Sequence, residues 1–199
     1  MNRSALRLAI VAALASAVAA APAWADWTLD PARSHLAFVS IKAKDVAEVH
    51  TFNEIKGRIA PDGKADIALM LDSVETLVPI RNQRMREILF DTADYKDAVF
   101  TAKIDPERIK AMAVGEIADI TAEGTLSLHG QTQPVTLVVQ AAKVASNTLM
   151  VASVKPVVVD AAKFGMTEGV EKLREVAGLA AISNAVPVSF VLTFVDGGN

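Results

Sequence analysis

The side chains able to do chemistry are few and scattered. Histidine occurs three times, as His35, His50 and His129, and cysteine is absent. No two histidines have the short spacing of a helical or loop metal site, so a metal ion would need ligands from three distant segments. His129 falls in a hairpin turn and His35 follows Ser34 at the start of a strand, and solvated or capping roles suit them better. Ser34, Ser73, Ser127 and Ser189 lie in strands or turns, and no G-x-S-x-G elbow marks one of them as a nucleophile. Without cysteine there is no thiol nucleophile and no thiolate ligand. What does cluster is cationic: Arg81, Arg84 and Arg86, beside Asn82 and Gln83. A planar guanidinium suits the polar head of a quinone or a prenyl phosphate. It equally suits ion pairs with Glu87, Asp91 or Asp94 that would pin this stretch to its surroundings. The reading is of a protein that binds without catalysing, with no cofactor and no metal.

The arginines belong to residues 71–104, LDSVETLVPIRNQRMREILFDTADYKDAVFTAKI, around which the chain is arranged. A strand over 67–71 leads into a loop and a short amphipathic helical segment that carries Ile80, Met85, Ile88, Leu89 and Phe90. Alternation returns over 99–104, after a turn-like stretch at 91–97. Two strands bridged by such a segment form one side of a container with a flap across its mouth.

The rest of the chain reads as hairpin-linked strands. Trp27 and Leu29 alternate with polar residues, Pro31 turns the chain, and 36–41 is a longer strand. The spacing then predicts a strand over 46–52 with 54–59 as its antiparallel return, and a Pro61-Asp62-Gly63 turn into 67–71. Residues 106–110 read as a turn or a single helical turn, and 115–119 as an irregular edge. LSLHGQTQPVTLVV is a hairpin of 121–128 and 134–144 with its turn at 129–132. A strand follows over 149–160. Helical spacing of Val170, Leu173, Val176 and Ala177 predicts a second short helix within 168–179, stopped by Gly178. Alternation over 186–195 gives the last strand.

This is an all-β chain of seven to nine strands, and antiparallel meanders of that size remove their exposed edges best by closing. Eight strands enclose a space wide enough for packed side chains or for one small ligand. A two-sheet sandwich is the alternative, but 36–41, 135–144 and 151–159 carry apolar residues on both faces, where a sandwich would present one polar face. Aromatic residues make up only 5% of the chain, too few to plug a wide barrel, and alanine, valine and leucine leave space. Phe38, Leu69, Leu71, Ile80, Met85, Leu89, Phe100, Leu137, Phe164, Met166, Phe190 and Leu192 are expected to be mostly buried, about half of them lining a cavity.

The first 25 residues read as a secretory leader. Arg3 and Arg7 precede an apolar run over 8–21, and Ala23-Trp24-Ala25 supplies a small-x-small cleavage site. The run is shorter than the roughly 20 residues that span a membrane. Cleavage after Ala25 would leave one domain over 26–199 in the periplasm, without disulfides and held by packing and sheet hydrogen bonds. Losing two arginines leaves 18 basic against 23 acidic residues, a formal charge of −5. A mildly acidic chain with no basic run does not suit nucleic acid.

In their order and spacing, several stretches together resemble the YceI-like family of periplasmic, lipocalin-like, polyisoprenoid-binding proteins. They are WTLDPARSHLAFVS, the Gly57 and Asp62-Gly63 turns, LDSVETLVPIRNQRMREILFD, YKDAVFTAKI, EGTLSLHGQTQPVTLVV and KFGM. The resemblance covers nearly all of 26–199. It implies a lipocalin-like eight-stranded antiparallel β-barrel with one or two short helices, and an elongated apolar tunnel for an isoprenoid tail. On that reading the twelve apolar residues above line the tunnel, and Arg81, Arg84 and Arg86 meet the polar head. The implied partners are an amphiphilic lipid such as a quinone or polyprenyl chain, a transient membrane-protein partner and, through a strand edge, a second copy. The alternative is a filled barrel serving as a structural accessory to a membrane redox or stress system. The chain departs from the family pattern at Arg86-Glu87 ahead of Leu89 and the single Phe90, and at Tyr95-Lys96-Asp97-Ala98.

Overall fold

The computed structural model describes residues 26–197, so the expected leader and its cleavage after Ala25 lie outside the described residues. The strands are β1 (Trp27–Leu29), β2 (His35–Lys42), β3 (Val46–Phe52), β4 (Ile55–Ile59), β5 (Lys64–Met70) and β6 (Val74–Glu75). After α1 (Pro79–Arg84) the same helix winds on as a π-helix over Met85–Phe90, and β7 (Asp97–Lys103) follows. Then come α2 (Pro106–Ala111), β8 (Ile117–Leu128), β9 (Gln131–Ala145), β10 (Thr148–Ser153), β11 (Val157–Asp160), α3 (Thr167–Val176) and β12 (Ala185–Asp196).

These segments make a closed antiparallel barrel of eight staves. Three staves are broken strands: β1 with β2, β3 with β4, and β10 with β11. β12 closes the ring, because it pairs with β10 and β11 on one side and with both β1 and β2 on the other. Leu29 lies opposite Phe194, and Phe38 opposite Val188. Closure removes most strand edges, although among the described residues β9 over 131–137 and β11 pair on one side only.

Three expectations are corrected here. Residues 54–59 are not the return of 46–52. β3 pairs with β2, from Lys42 opposite Val46 to Ala37 opposite Thr51, while β4 pairs with β1 and β5. The chain runs on in one direction through Asn53 and Glu54, and the inward side changes parity there, from Phe52 to the buried Ile55. Ser73 holds the break open: its carbonyl accepts from the Asn53 N–H at 3.0 Å and its Oγ from the Glu54 N–H at 2.9 Å. The expected single strand over 149–160 divides before Pro156, which has no N–H to give a ladder. And 117–119 is regular strand rather than an irregular edge, so the β8–β9 ladder runs from Ile117 opposite Ala142 to Leu128 opposite Gln131.

That ladder ends in a two-residue turn, with His129 at φ 50° and Gly130 at φ 72°. Both central residues are left-handed, as the tight hairpin turn matched to strand twist requires. The Tyr95 ring sits against His129 at 4.3 Å between centroids and ties the turn to the loop before β7.

Two apolar clusters fill the ends of the barrel. At one end α2 caps it with Ile109 and Met112, packed with Trp27, Leu29, Ile59, Leu149 and Phe194. At the other the flap segment contributes Leu71, Val74, Met85 and Phe90 against Phe164, Met166 and Val170. α3 comes close to the π-helix because Gly169 has no Cβ; one built there would lie 2.9 Å from the Ile88 carbonyl oxygen.

A close approach of β7 and β8 gives a test of this packing. A Cβ on Gly124 would lie 2.4 Å from the Thr101 carbonyl oxygen and 2.9 Å from the Ala102 Cβ. Gly124→Ala should therefore lower stability by about 1–3 kcal/mol, the usual scale of overpacking, although alanine suits a strand better than glycine. Urea unfolding measures it, and an unchanged midpoint would show that the two strands sit further apart.

Candidate functional site

Each stave turns every second residue inward, and inside the barrel these side chains do not meet. They line a cavity of about 640 Å³, within the range of roughly 300–1,000 Å³ common for small-ligand sites. β8 shows the pattern most plainly, with Ile120, Ala122, Leu126 and Leu128 on the cavity and Thr121, Glu123, Thr125 and Ser127 in solvent. β9 sends Val135, Leu137, Val139 and Ala141 in, and β12 sends Val186, Val188, Phe190, Leu192 and Phe194. Small inward residues (Ala65, Ala98, Ala102, Ala122, Ala141) leave room inside the barrel.

The two ends of the cavity differ. Towards α2 its walls are Ile59, Ala65, Ala102, Ile109, Ala141, Leu149 and Phe194, all buried. Towards the flap they include exposed residues, Val78 and Ile80 on one side and Val176 and Ala177 on the other. The cavity is therefore blind at the α2 end and opens between the flap and the C-terminal end of α3. Leu77, at φ 60° and 90% exposed, stands at the approach to α1.

Of the twelve apolar residues expected at the tunnel, eleven are on the cavity wall: Phe38, Leu69, Leu71, Ile80, Met85, Leu89, Phe100, Leu137, Met166, Phe190 and Leu192. Phe164 is the exception. It is buried in the cluster beneath the flap, on the short turn before α3, and does not reach the cavity. Ile80, expected to be buried, is 52% exposed because it sits at the opening. Among the arginines, Arg81 and Arg84 reach the cavity and Arg86 does not; its Nη1 donates to the Asp72 carbonyl at 3.4 Å. None of the expected ion-pair partners of Arg81 is used. Its Nη1 donates to Glu48 on β3 at 2.6 Å and its Nη2 to the Thr76 carbonyl at 2.8 Å, which ties α1 across the barrel rim.

Four polar residues that sequence reasoning did not place on the cavity share this end with Arg81. Ser40 and Lys42 come from β2, Glu48 and His50 from β3. The signal was present, since each continues the two-residue period of Phe38 and Phe52 along its strand. Glu48 accepts from Lys42 Nζ at 2.7 Å as well as from Arg81. The Lys42 ammonium, with Arg81 adding to it, holds the Glu48 carboxyl below its ordinary range against the opposing effect of burial.

His50, unlike the turn and strand-start positions of His129 and His35, is buried at 3% exposure. Its Nε2 is 2.8 Å from Ser40 Oγ and its ring stacks obliquely on Phe38 at 5.2 Å. Burial, chiefly, and the neighbouring Arg81 and Lys42 charges push its pKa down, with Glu48 opposing, so the imidazole is held neutral. Two buried polar atoms here have no protein partner, His50 Nδ1 and Arg81 Nε. A buried polar group left unpaired costs about 1–3 kcal/mol.

The arrangement can bind a long apolar chain end-on, tail first, with a small polar group left at the mouth. A family profile described as a YceI-like domain matches residues 27–194. Curated protein sequences give no match. Among solved structures, a polyisoprenoid binding domain from Saccharophagus degradans, implicated in plant cell wall breakdown, is 36% identical. It superposes with a TM-score of 0.84 over 85% of this chain and 98% of that one. Burkholderia cenocepacia BcnA shares the fold at 20% identity, with a TM-score of 0.63 over 83% of this chain and 98% of its own. A Campylobacter jejuni YceI protein does so at 15% identity and a TM-score of 0.52, over 75% and 85%.

The neutral imidazole makes stability depend on pH with a definite sign. The folded pKa of His50 lies below its unfolded value of about 6.5, so the unfolded chain takes up the proton first. The contribution of His50 is complete above that value and is lost as pH falls through it towards the folded pKa. Between pH 7 and 5 the urea midpoint of the native chain should fall more than that of His50→Gln, which cannot titrate. Parallel slopes would mean that His50 is charged or solvent-exposed in the folded state.

Proposed function

The chain belongs to the YceI-like family, and from that premise we propose that it is a non-catalytic carrier or binding protein for an isoprenoid lipid, either a quinone or a polyprenyl chain, working in the periplasm. The observation that carries the proposal is the blind apolar cavity of about 640 Å³ running from α2 to an opening beneath the flap. A filled barrel acting as a structural accessory would have no use for it.

The energetics favour a long hydrocarbon. Each buried methylene contributes about 0.8 kcal/mol. One isoprene unit then contributes roughly 3–4 kcal/mol, before the cost of ordering the chain is subtracted. A few units give useful affinity without a strong polar anchor. The name of the Saccharophagus relative, a polyisoprenoid binding domain, supports the ligand class. The leader read in residues 1–25 supports export, and the exposed Leu77, Val78 and Ile80 beside the opening would meet whatever membrane or membrane protein supplies the cargo.

Two measurements check the proposal. Organic extracts of the purified protein, analysed by mass spectrometry, should contain a prenyl species in near-stoichiometric amount. Leu137→Trp, which builds an indole into the middle of the cavity, should lower prenyl-chain affinity by at least tenfold, or about 1.4 kcal/mol, with a melting temperature close to that of the native chain. An empty protein that also fails to take up added prenyl chains would overturn the carrier reading.

A further inference from the structure

Leu77 has the highest exposure of any large apolar residue among the described residues, and its backbone is left-handed at φ 60°. A side chain with a Cβ disfavours that conformation, and a leucine in water gains no packing in return. The loop is built to hold it there. Buried Asn82 accepts at Oδ1 from the Thr76 N–H at 2.9 Å and from the Thr76 hydroxyl. Its Nδ2 donates to Glu75 Oε1 at 2.9 Å, and the same carboxylate oxygen accepts from the Leu77 N–H. Strain of this kind persists where the surroundings over-determine it, and it marks functional surfaces.

Leu77 opens the uncharged stretch Leu77-Val78-Pro79-Ile80 on one side of the opening. The other side carries a second uncharged stretch, 176–182, VAGLAAI, which begins at the last residue of α3. Val78, Ile80 and Val176 are all exposed. The β2–β3 turn joins the same rim, since the Ala43 N–H donates to the Ala181 carbonyl at 2.9 Å and the Ser183 N–H to the Ile41 carbonyl at 2.8 Å. It brings the exposed Val46, which lies opposite Lys42. The rim is thus aliphatic, comes from separate segments, and surrounds a hole. Protein interfaces draw their binding energy chiefly from Trp, Tyr and Arg in closely packed patches, with Leu and Val under-represented; 43–47, 77–80 and 176–182 hold no aromatic residue. The charges point the same way. Glu48 is held by Lys42 and Arg81, Glu75 by Asn82, and Glu175 by Arg174. Among the described residues, Lys44 on the β2–β3 turn and Arg84 on α1 have no ion-pair partner, with Asp45 the one such carboxylate on the turn.

We infer that this rim is a membrane-docking surface. Leu77, Val78, Ile80 and Val176 enter the apolar layer of a bilayer that carries anionic phospholipid, and Lys44 and Arg84 stay at the level of its head groups. The opening then faces hydrocarbon, and a prenyl tail passes between bilayer and tunnel without crossing water. The inference rests on the tunnel carrying an isoprenoid lipid and adds the surface that supplies it.

Flotation with protein-free vesicles tests it, using phosphatidylcholine alone and phosphatidylcholine mixed with phosphatidylglycerol. The variants are Leu77→Asn, Leu77→Trp and Lys44→Glu, at positions off the cavity wall. The native chain should float with both vesicles and favour the mixed ones by about fivefold or more. Leu77→Asn should lower partitioning into both by about tenfold, the low end of what burying one leucine is worth, and Leu77→Trp should restore or raise it. Lys44→Glu should cut the preference for phosphatidylglycerol by about fivefold, the scale of one cation at an anionic surface. Asparagine suits a left-handed backbone better than leucine, so Leu77→Asn should melt no lower than the native chain, and all variants should take up a prenyl analogue added free in solution as the native chain does. A lower melting temperature for Leu77→Asn would make Leu77 a structural residue and overturn the inference. So would native-like flotation of that variant, or a native chain that floats only with vesicles made from whole membranes, which would assign the rim to a protein partner. A native chain that takes up the free analogue and ignores every vesicle would overturn docking and leave the carrier reading standing. Failure to take up the free analogue would overturn the carrier reading and docking with it.

Discussion

The closing of β12 onto β1 and β2 is the constraint on which the rest depends. Once the ladder is a ring, each residue of a stave has one of two addresses, inside or outside. The inside is then a fixed perimeter to be filled with whatever side chains the two-residue period delivers. Here it delivers alanine, valine, leucine and a few phenylalanines. Their bulk satisfies the ends, where α2 and the flap pack down, and falls short in the middle. The cavity follows from strand count and side-chain size, with no separate binding domain.

The same ring makes the polar mouth expensive. His50 and Arg81 each leave a buried nitrogen without a protein partner; Ser40 bonds to His50, while Lys42, Glu48 and Arg81 spend their other bonds on one another and on the Thr76 carbonyl. That cost falls at the rim of the opening, beside the cavity. The pairing of Arg81 with Glu48 also fixes α1 over β3, so the opening has a definite edge rather than a loose loop.

Much of this was legible in the residue order. Alternation in β8, β9 and β12 and the His129-Gly130 turn were strong local signals, as was the helix that stops at Gly178, φ 65°. Local signals of this kind survive because propensity, period and turn chemistry agree. What could not be read was long-range. Arg81 finds Glu48 33 residues away instead of a nearby carboxylate on its own segment, and no spacing rule reports that. The parity slip at Asn53-Glu54 looks from the sequence like a hairpin, although it is one stave passing over the Ser73 bracket. Apolar residues on both faces of a strand accompany closure without requiring it. Outward residues such as Val49, Val138, Val144, Val158 and Val191 face solvent instead of a second layer; they suit a pleated strand whatever they touch. His50 escaped notice because it was weighed as a lone histidine and not as the inward partner of Phe38 and Phe52.

The two-address rule is also what an experiment can interrogate most directly. Methyl-resolved NMR of the chain titrated with a prenyl ligand separates inside from outside along single strands. The account predicts intermolecular contacts and shift changes at the Leu126, Leu137, Val139, Val151 and Leu192 methyls, with Val138, Val158 and Val191 unmoved although they are sequence neighbours of responding residues or lie on the same staves. Contacts spread over the outer valines, or no response from the inner methyls at saturating ligand, would contradict it.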